Sequence, residues 1–221
     1  MVPIDGIKKV HGAAVYQMPC PTTPLPKLML VTSRKLMRPS FEAALESALR
    51  AGARLIQLRE PDLAANELRP LAERAQAMCE KYNGILTINN QPEIATQLNT
   101  GLHFPAHALG FDRDTRSKLL GFSIHSLDEA QRAGQRGANY LVCGSMYATR
   151  SHPGETPAGL ELLRRVVRAT ALPVFAIGGI TSDRVEECLE AGAYGVAVIS
   201  SVWDADNMEE VIGALLNQAW R

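Results

Sequence analysis

Two pairs of residues in the C-terminal third have the chemistry to hold an anion. Gly178-Gly179 and Ser200-Ser201 each follow a short apolar run, Val174 to Ile177 and Val196 to Ile199. Glycines let backbone N–H groups approach a phosphate, and the start of a following helix adds a favourable dipole. A tight turn alone also calls for glycine, so the signal lies in the two pairs together. Between Gly144 and Gly159 runs a long connection, SMYATRSHPGETPAG, in which Thr149, Arg150, Ser151 and His152 offer donors to an anionic ligand. Usual connections of this kind span about 2–6 residues, and longer ones often clamp a substrate. His152 is the first acid/base candidate because phosphate donors surround it. His125 and His103 each follow an apolar run closely and either line a site or pack structurally. His11 and His107 fall outside such positions. No HxH or HExxH spacing supports a metal.

These residues need elements to hold them, and the chain supplies a regular alternation. Leu28 to Thr32 is apolar and long enough for a buried strand; Ser40 then caps a helix whose Phe41, Ala44, Leu45, Ala48 and Leu49 fall at helical spacing, with Gly52 closing it. The unit repeats with strands at 54–58, 85–89, 102–104, 122–124, 140–143, 174–177 and 196–199. Helices are expected at 66–82, 91–98, 112–119 (weakly), 127–135, 160–169, 183–191 and 208–219. Strand followed by helix about eight times is the pattern of a closed parallel barrel. The rival, an open doubly wound sheet, would carry a GxGxxG loop after its first strand, and SRKLMRP after Thr32 has none. The expectation is an α/β chain forming a single-domain (β/α)8 TIM barrel over 28–221, with a Pro-rich leader or linker over 1–27.

Barrel chemistry sits at the C-terminal ends of the strands. Read in order, the strand-end residues are Gln57, Arg59 and Glu60; Asn89 and Asn90; His103; Ser123 and His125; the loop from Gly144 with Ser145; Gly178 and Gly179; and Ser200 and Ser201. The set is polar with few acids. The last two pairs occupy the usual phosphate-binding position of such barrels.

Composition narrows the function classes. The 221 residues are 46% hydrophobic and 21% charged, with 23 basic and 23 acidic side chains and no formal net charge. That balance lacks the basic excess of a nucleic-acid binder, so no nucleic-acid partner is expected. No apolar run is long enough to span a bilayer and no signal-peptide core is readable, so no membrane is expected and the default location is cytoplasmic. Cys20, Cys79, Cys143 and Cys188 form no CxxC pair and read as reduced thiols. Barrels of this size often self-associate, which leaves a homo-oligomer open, although no heptad or apolar stripe marks a contact.

In order along the chain, QLREP at 57–61, TINN at 87–90, GFSIHSLDEA at 121–130, the Thr149 loop and FAIGGI at 175–180 resemble the thiamine phosphate synthase/TenI superfamily over about residues 28–217. The resemblance implies a (β/α)8 barrel in thiamine metabolism whose ligand is a small phosphorylated thiazole or thiamine phosphate. It assigns Gln57, Arg59, Glu60 and Asn89 to the pyrimidine side, and it matches Ser123, a catalytic candidate beside His152 and His125, to the family's serine after the fifth strand. It assigns Thr149 and Ser151 to the thiazole-phosphate loop, and Gly178, Gly179, Ile199 and Ser200 to the phosphate. The departures fall on the diphosphate machinery. Pro61 stands where the synthases have a Lys, Asn90 and Ala108 stand where they have magnesium carboxylates, and His152 replaces another Lys. Magnesium is the family's metal, but these replacements imply that its ligands are not retained, so neither metal nor cofactor is expected. A cation-poor site stabilises a leaving pyrophosphate badly. The SIHSLDEA segment resembles the TenI-type thiazole tautomerases, whose histidine after the sixth strand is Ser145 here; His152, His125 or His103 would have to replace it. The TRSHPG run resembles the synthase-like domain fused to Nudix hydrolases in some bacteria. Degenerate synthase-family protein, active synthase, metal-independent tautomerase and non-catalytic phosphate-binding module remain the alternatives.

Overall fold

The computed structural model describes residues 24–110, 117–149 and 156–219. Eight parallel strands close into a barrel in simple sequential order: β1 (Leu28–Val31), β2 (Leu55–Leu58), β3 (Ile85–Asn89), β4 (Gly101–Phe104), β5 (Leu120–Ile124), β6 (Tyr140–Gly144), β7 (Val174–Ile177) and β8 (Gly195–Val198). Closure is made where Met29 of β1 stands opposite Ala197 of β8. The strands read as near-continuous apolar runs because both faces are covered, one by the barrel interior and one by helices.

The helices form where the sequence caps them. In α1 (Phe41–Arg50) the Ser40 hydroxyl accepts from the Ala43 N–H at 3.2 Å, and the buried face is Phe41, Ala44, Leu45, Ala48 and Leu49. Gly52 leaves the helix at φ +107°, a conformation glycine adopts without strain. Then come α2 (Ala65–Lys81), α3 (Pro92–Gln97), α4 (Leu127–Gln135), α5 (Gly159–Ala169), α6 (Val185–Glu190), α7 (Ser200–Trp203) and α8 (Met208–Ala219).

Three local readings change. The helix expected at 112–119 is absent from the described part of that stretch, 117–119. A 3-10 turn at Ala106–Gly110 stands earlier, started where the Pro105 carbonyl accepts from the Ala108 N–H at 3.0 Å; residues 111–116 lie outside the described residues. The helix expected from Asp183 begins as a 3-10 turn, Ser182–Arg184, before α6. A single helical turn, α7, follows β8 directly, pinned by Trp203 Nε1 donating to the Val31 carbonyl at 2.7 Å. Of the leader expected over 1–27, residues 1–23 lie outside the described residues. Leu25 is buried against the barrel interior, and the Lys27 carbonyl accepts from Val196 N–H at 2.9 Å.

Inside the barrel, Met29, Val31, Leu55, Tyr140, Val142, Phe175 and Ala197 form a core separate from the larger one between strands and helices. Tyr140 lies fully buried across this interior because Gly121 on the neighbouring strand has no side chain; a Cβ there would collide with the phenol ring. The Phe175 ring meets both Tyr140 and Tyr194 edge-on.

Candidate functional site

A cavity of about 450 Å³ opens at the C-terminal ends of β6, β7 and β8. Its floor includes Ile177, Ala197 and Val198, and its rim includes Ser145, Thr149, Gly178, Gly179, Thr181, Arg184, Ile199, Ser200 and Ser201. The glycine pair is fixed by the chain above it. Gly178 has φ +100°, and a Cβ there would stand 2.6 Å from the Ser145 Cβ; Gly179 has φ +65°, and its Cβ would stand 2.6 Å from the Ala148 carbonyl oxygen. The β6–α5 connection can lie this close because Met146 N–H donates to Ile177 O at 2.8 Å and Tyr147 N–H to Gly178 O at 3.0 Å. Glycine at 178 and 179 is therefore required by packing and by backbone conformation, whatever the ligand. The helix after β8 is one turn long, too short for the dipole expected after Ser200-Ser201. The donors there are hydroxyls and backbone N–H groups.

His125 stands on the cavity wall beside Gly144. Its Nδ1 lies 2.8 Å from the Gly144 carbonyl oxygen. A carbonyl only accepts, so Nδ1 carries a proton, and the second ring nitrogen, Nε2, is not engaged by that bond. The local chain is held by two bonds at the start of α4. Ser126 Oγ accepts from Glu129 N–H at 3.2 Å, while a Glu129 carboxylate oxygen accepts from His125 N–H at 2.6 Å.

A second polar group lies inside the barrel, away from the cavity lining. His103, 1% exposed, has Nδ1 3.0 Å from the Tyr140 hydroxyl and Nε2 2.9 Å from the half-buried Ser123 hydroxyl. Burial, with a smaller contribution from the Arg59 charge, lowers its pKa from 6.5 to about 3, so the ring is neutral. Gln57, 3% exposed, and Thr87 also engage Tyr140, whose hydroxyl is raised well above its usual value by burial. Glu60, 6% exposed, accepts from the Thr32 hydroxyl at 2.7 Å and from Arg34 N–H at 3.0 Å. Burial pushes its carboxyl upward against those bonds.

The strand-end residues thus divide. His125, Ser145, Thr149, Gly178, Gly179, Ile199, Ser200 and Ser201 line one cavity. Gln57, Arg59, Glu60, Asn89, Asn90, His103 and Ser123 do not line it. Of these, Gln57, Glu60 and His103 are buried, because their side chains point into the protein where their hydrogen bonds are made. Arg150, Ser151 and His152 lie outside the described residues. Arg184, Thr181 and Asp204 join the lining without having been singled out by sequence. Arg184 is five residues beyond Gly179, on the turn before α6, and that proximity was the one signal available.

Asn90 and Ala108 offer a neutral amide and a buried methyl at the two positions of interest for magnesium. Among the described residues, no three His, Cys, Asp or Glu side chains come together as a ligand set. Mg²⁺ is held by hard oxygens, chiefly carboxylates, and neither of these two side chains supplies one. Cys79, Cys143 and Cys188 are buried free thiols, and burial pushes Cys79 and Cys143 up to about 12, which keeps them protonated and unreactive. No helix among the described residues is long and apolar enough to cross a membrane.

The family model described as thiamine monophosphate synthase matches residues 28–202. An Aquifex aeolicus protein provisionally named thiamine-phosphate synthase 2 is 38% identical over 180 residues, covering 80% of this chain and 97% of the relative. A thiamine-phosphate synthase from Alkaliphilus oremlandii is 33% identical over 195 residues, covering 85% and 93%. Among solved structures, a thiamine phosphate pyrophosphorylase from Pyrococcus furiosus superposes with a TM-score of 0.75 at 28% identity, covering 88% of this chain and 96% of that one.

Proposed function

The chain belongs to the thiamine monophosphate synthase family, and from that premise we propose that its cavity binds thiazole phosphate or thiamine phosphate by the phosphate. The observation that carries the reading is the convergence of Gly178, Gly179, Ile199 and Ser200 with the Thr149 loop on one cavity. Ile177, Ile180, Ala197 and Val198 supply an apolar wall on which a small heterocycle can rest.

The diphosphate half of synthase chemistry is degenerate in this reading. Loss of pyrophosphate concentrates negative charge in the transition state, and cations must meet it there. Pro61, Asn90, Ala108 and His152 remove two lysines and two metal carboxylates from that task. The test is product formation from hydroxymethylpyrimidine diphosphate and thiazole phosphate, run with Mg²⁺ and then with EDTA. The expected result is no thiamine phosphate in either, while thiazole phosphate still raises the melting temperature. Magnesium-dependent product at a useful rate would overturn the degenerate part and make the chain an active synthase like the relatives that carry that name.

A second reading, metal-independent proton transfer on the bound thiazole, is favoured by one observation. His125 stands at the cavity with Nδ1 committed to Gly144, leaving Nε2 to take or give the proton. His125→Asn should then abolish tautomerisation that persists in EDTA. Turnover in neither assay, with binding intact, leaves a phosphate-binding module.

A further inference from the structure

Among the described residues that line the cavity, Arg184 is the one lysine or arginine, and Asp204 the one carboxylate. None of the motifs by which the chain resembles its family contains Arg184. Its guanidinium is held on two sides. Nη1 donates to the Gly179 carbonyl at 2.6 Å, and the guanidinium carbon lies 4.4 Å from the centroid of the Tyr147 ring. The Tyr147 hydroxyl in turn lies 3.9 Å from Cys188 Sγ on α6, so the ring is tied to the element that follows Arg184. An arginine on a solvated surface spends entropy when it orders around an anion. This one is ordered beforehand, half-buried, beside the glycine turn.

We propose that Arg184 is the anion-recognising cation of the cavity, directing its remaining guanidinium N–H groups at the phosphate that sits on the Gly178–Gly179 turn. One carbonyl does not exhaust a planar fork of five donors, and the fork matches the oxygens of a phosphate. The bond to Gly179 O sets the fork's position relative to the backbone N–H groups of the same turn, so cation and turn act as one receptor. Tyr147 is a positioning residue: it holds the guanidinium plane. The inference rests on the phosphate-binding reading of the cavity, and it specifies which side chain gives that cavity its preference for anions.

The experiment is calorimetric titration of the full chain with inorganic phosphate in a non-phosphate buffer, repeated at several KCl concentrations, for wild type, Arg184→Gln and Arg184→Lys. Arg184→Gln should weaken phosphate by about tenfold, and Arg184→Lys by less, since the charge survives without the fork. The decisive readout is salt. Wild-type affinity should fall with KCl, and the fall should be shallower in Arg184→Gln, because the screened charge has gone. A role confined to bracing the Gly179 turn would weaken binding and leave the salt dependence as in wild type; that result would overturn the proposal. So would phosphate affinity in Arg184→Gln within about twofold of wild type. Failure of the wild-type chain to bind phosphate at millimolar concentration would overturn the cavity reading itself, a different outcome from either of these. Unliganded melting temperatures of the three proteins separate loss of fold from loss of binding.

Discussion

The two halves of the barrel mouth are built on different principles. On the β6–β8 side the polar groups are backbone, hydroxyl and one braced guanidinium around an open cavity. On the other side they are side chains that satisfy one another within the protein: His103 of β4 with Tyr140 of β6 and Ser123 of β5, and Glu60 beyond β2 with Thr32 and the Arg34 backbone beyond β1. A group already bonded inside the protein contributes to stability, whereas one aimed into a cavity contributes to binding. Residues that look alike as strand-end polar positions in the sequence thus belong to separate energetic ledgers. The comparison predicts that perturbing the filled half changes folding alone, whereas perturbing the open half changes ligand affinity as well.

The largest expected effect tests the filled half. His103 has a folded-state pKa of about 3 against 6.5 for an ordinary histidine. Between those values the unfolded chain binds the proton and the folded chain does not, so stability falls as pH drops below 6.5. The slope from this residue alone approaches about 1.4 kcal/mol per pH unit well below 6.5, or roughly 2.5 kcal/mol in all between pH 7 and 4.5. Glu60, with its pKa raised, works in the opposite sense just above its ordinary value, where the folded chain holds the proton and stability grows as pH falls. Urea unfolding from pH 7 to 4.5 in wild type and His103→Gln separates the two: the difference between the curves should shrink as pH falls. A constant difference would mean that His103 titrates normally and is solvated.

Gly178→Ala attacks the other half and should cost about 2–3 kcal/mol, because alanine is strained at φ +100° and its Cβ would meet Ser145. Phosphate affinity should fall with it, since the turn that would carry the anion has to move. Tyr140→Phe sharpens the contrast. It removes the hydroxyl that pairs with His103 Nδ1 and leaves a buried polar atom short of a partner, at about 1–2 kcal/mol. Phosphate affinity should stay as in wild type. A parallel loss of affinity would show that the two halves are coupled through the barrel interior.

How much of this the sequence carries differs by element. The eight strands and seven of their helices were legible because burial on both faces makes the strands continuous and the helices periodic, and Ser40 announces its helix as a cap. The turn α7 and the 3-10 turns were not, because three to five residues hold no periodicity to read. That Gly178, Gly179, Ser200 and Ser201 share one cavity was legible, since their place after the last two strands puts them at the strand ends. The burial of His103 and Gln57 was not legible. It depends on Gly121 leaving room for Tyr140 to cross the barrel, a relation between strands that no local pattern records. Arg184 is not legible as a cavity residue because its placement depends on contacts to Gly179 O and the Tyr147 ring, across two connections.

The smallest effect concerns the seam between the two halves, where β5 passes from Ser123 on the filled side to His125 on the open one. Glu129, in the first turn of α4, accepts from His125 N–H, one residue before the Ser126 cap, at 2.6 Å. Glu129→Ala removes that acceptor while Ser126 Oγ keeps its own bond to the N–H of residue 129, so the helix loses about 0.5–1 kcal/mol. The released His125 N–H lies at an exposed position, where water replaces the lost acceptor, which keeps the cost low. What should change more is the imidazole. With its backbone less firmly held, the Nδ1 bond to Gly144 O loosens, and the nitrogen chemical shifts of His125 should move toward the tautomer mixture of a free histidine. Shifts unchanged by Glu129→Ala would show that Gly144 alone fixes the ring. The Glu129 bond would then serve the helix and not the cavity.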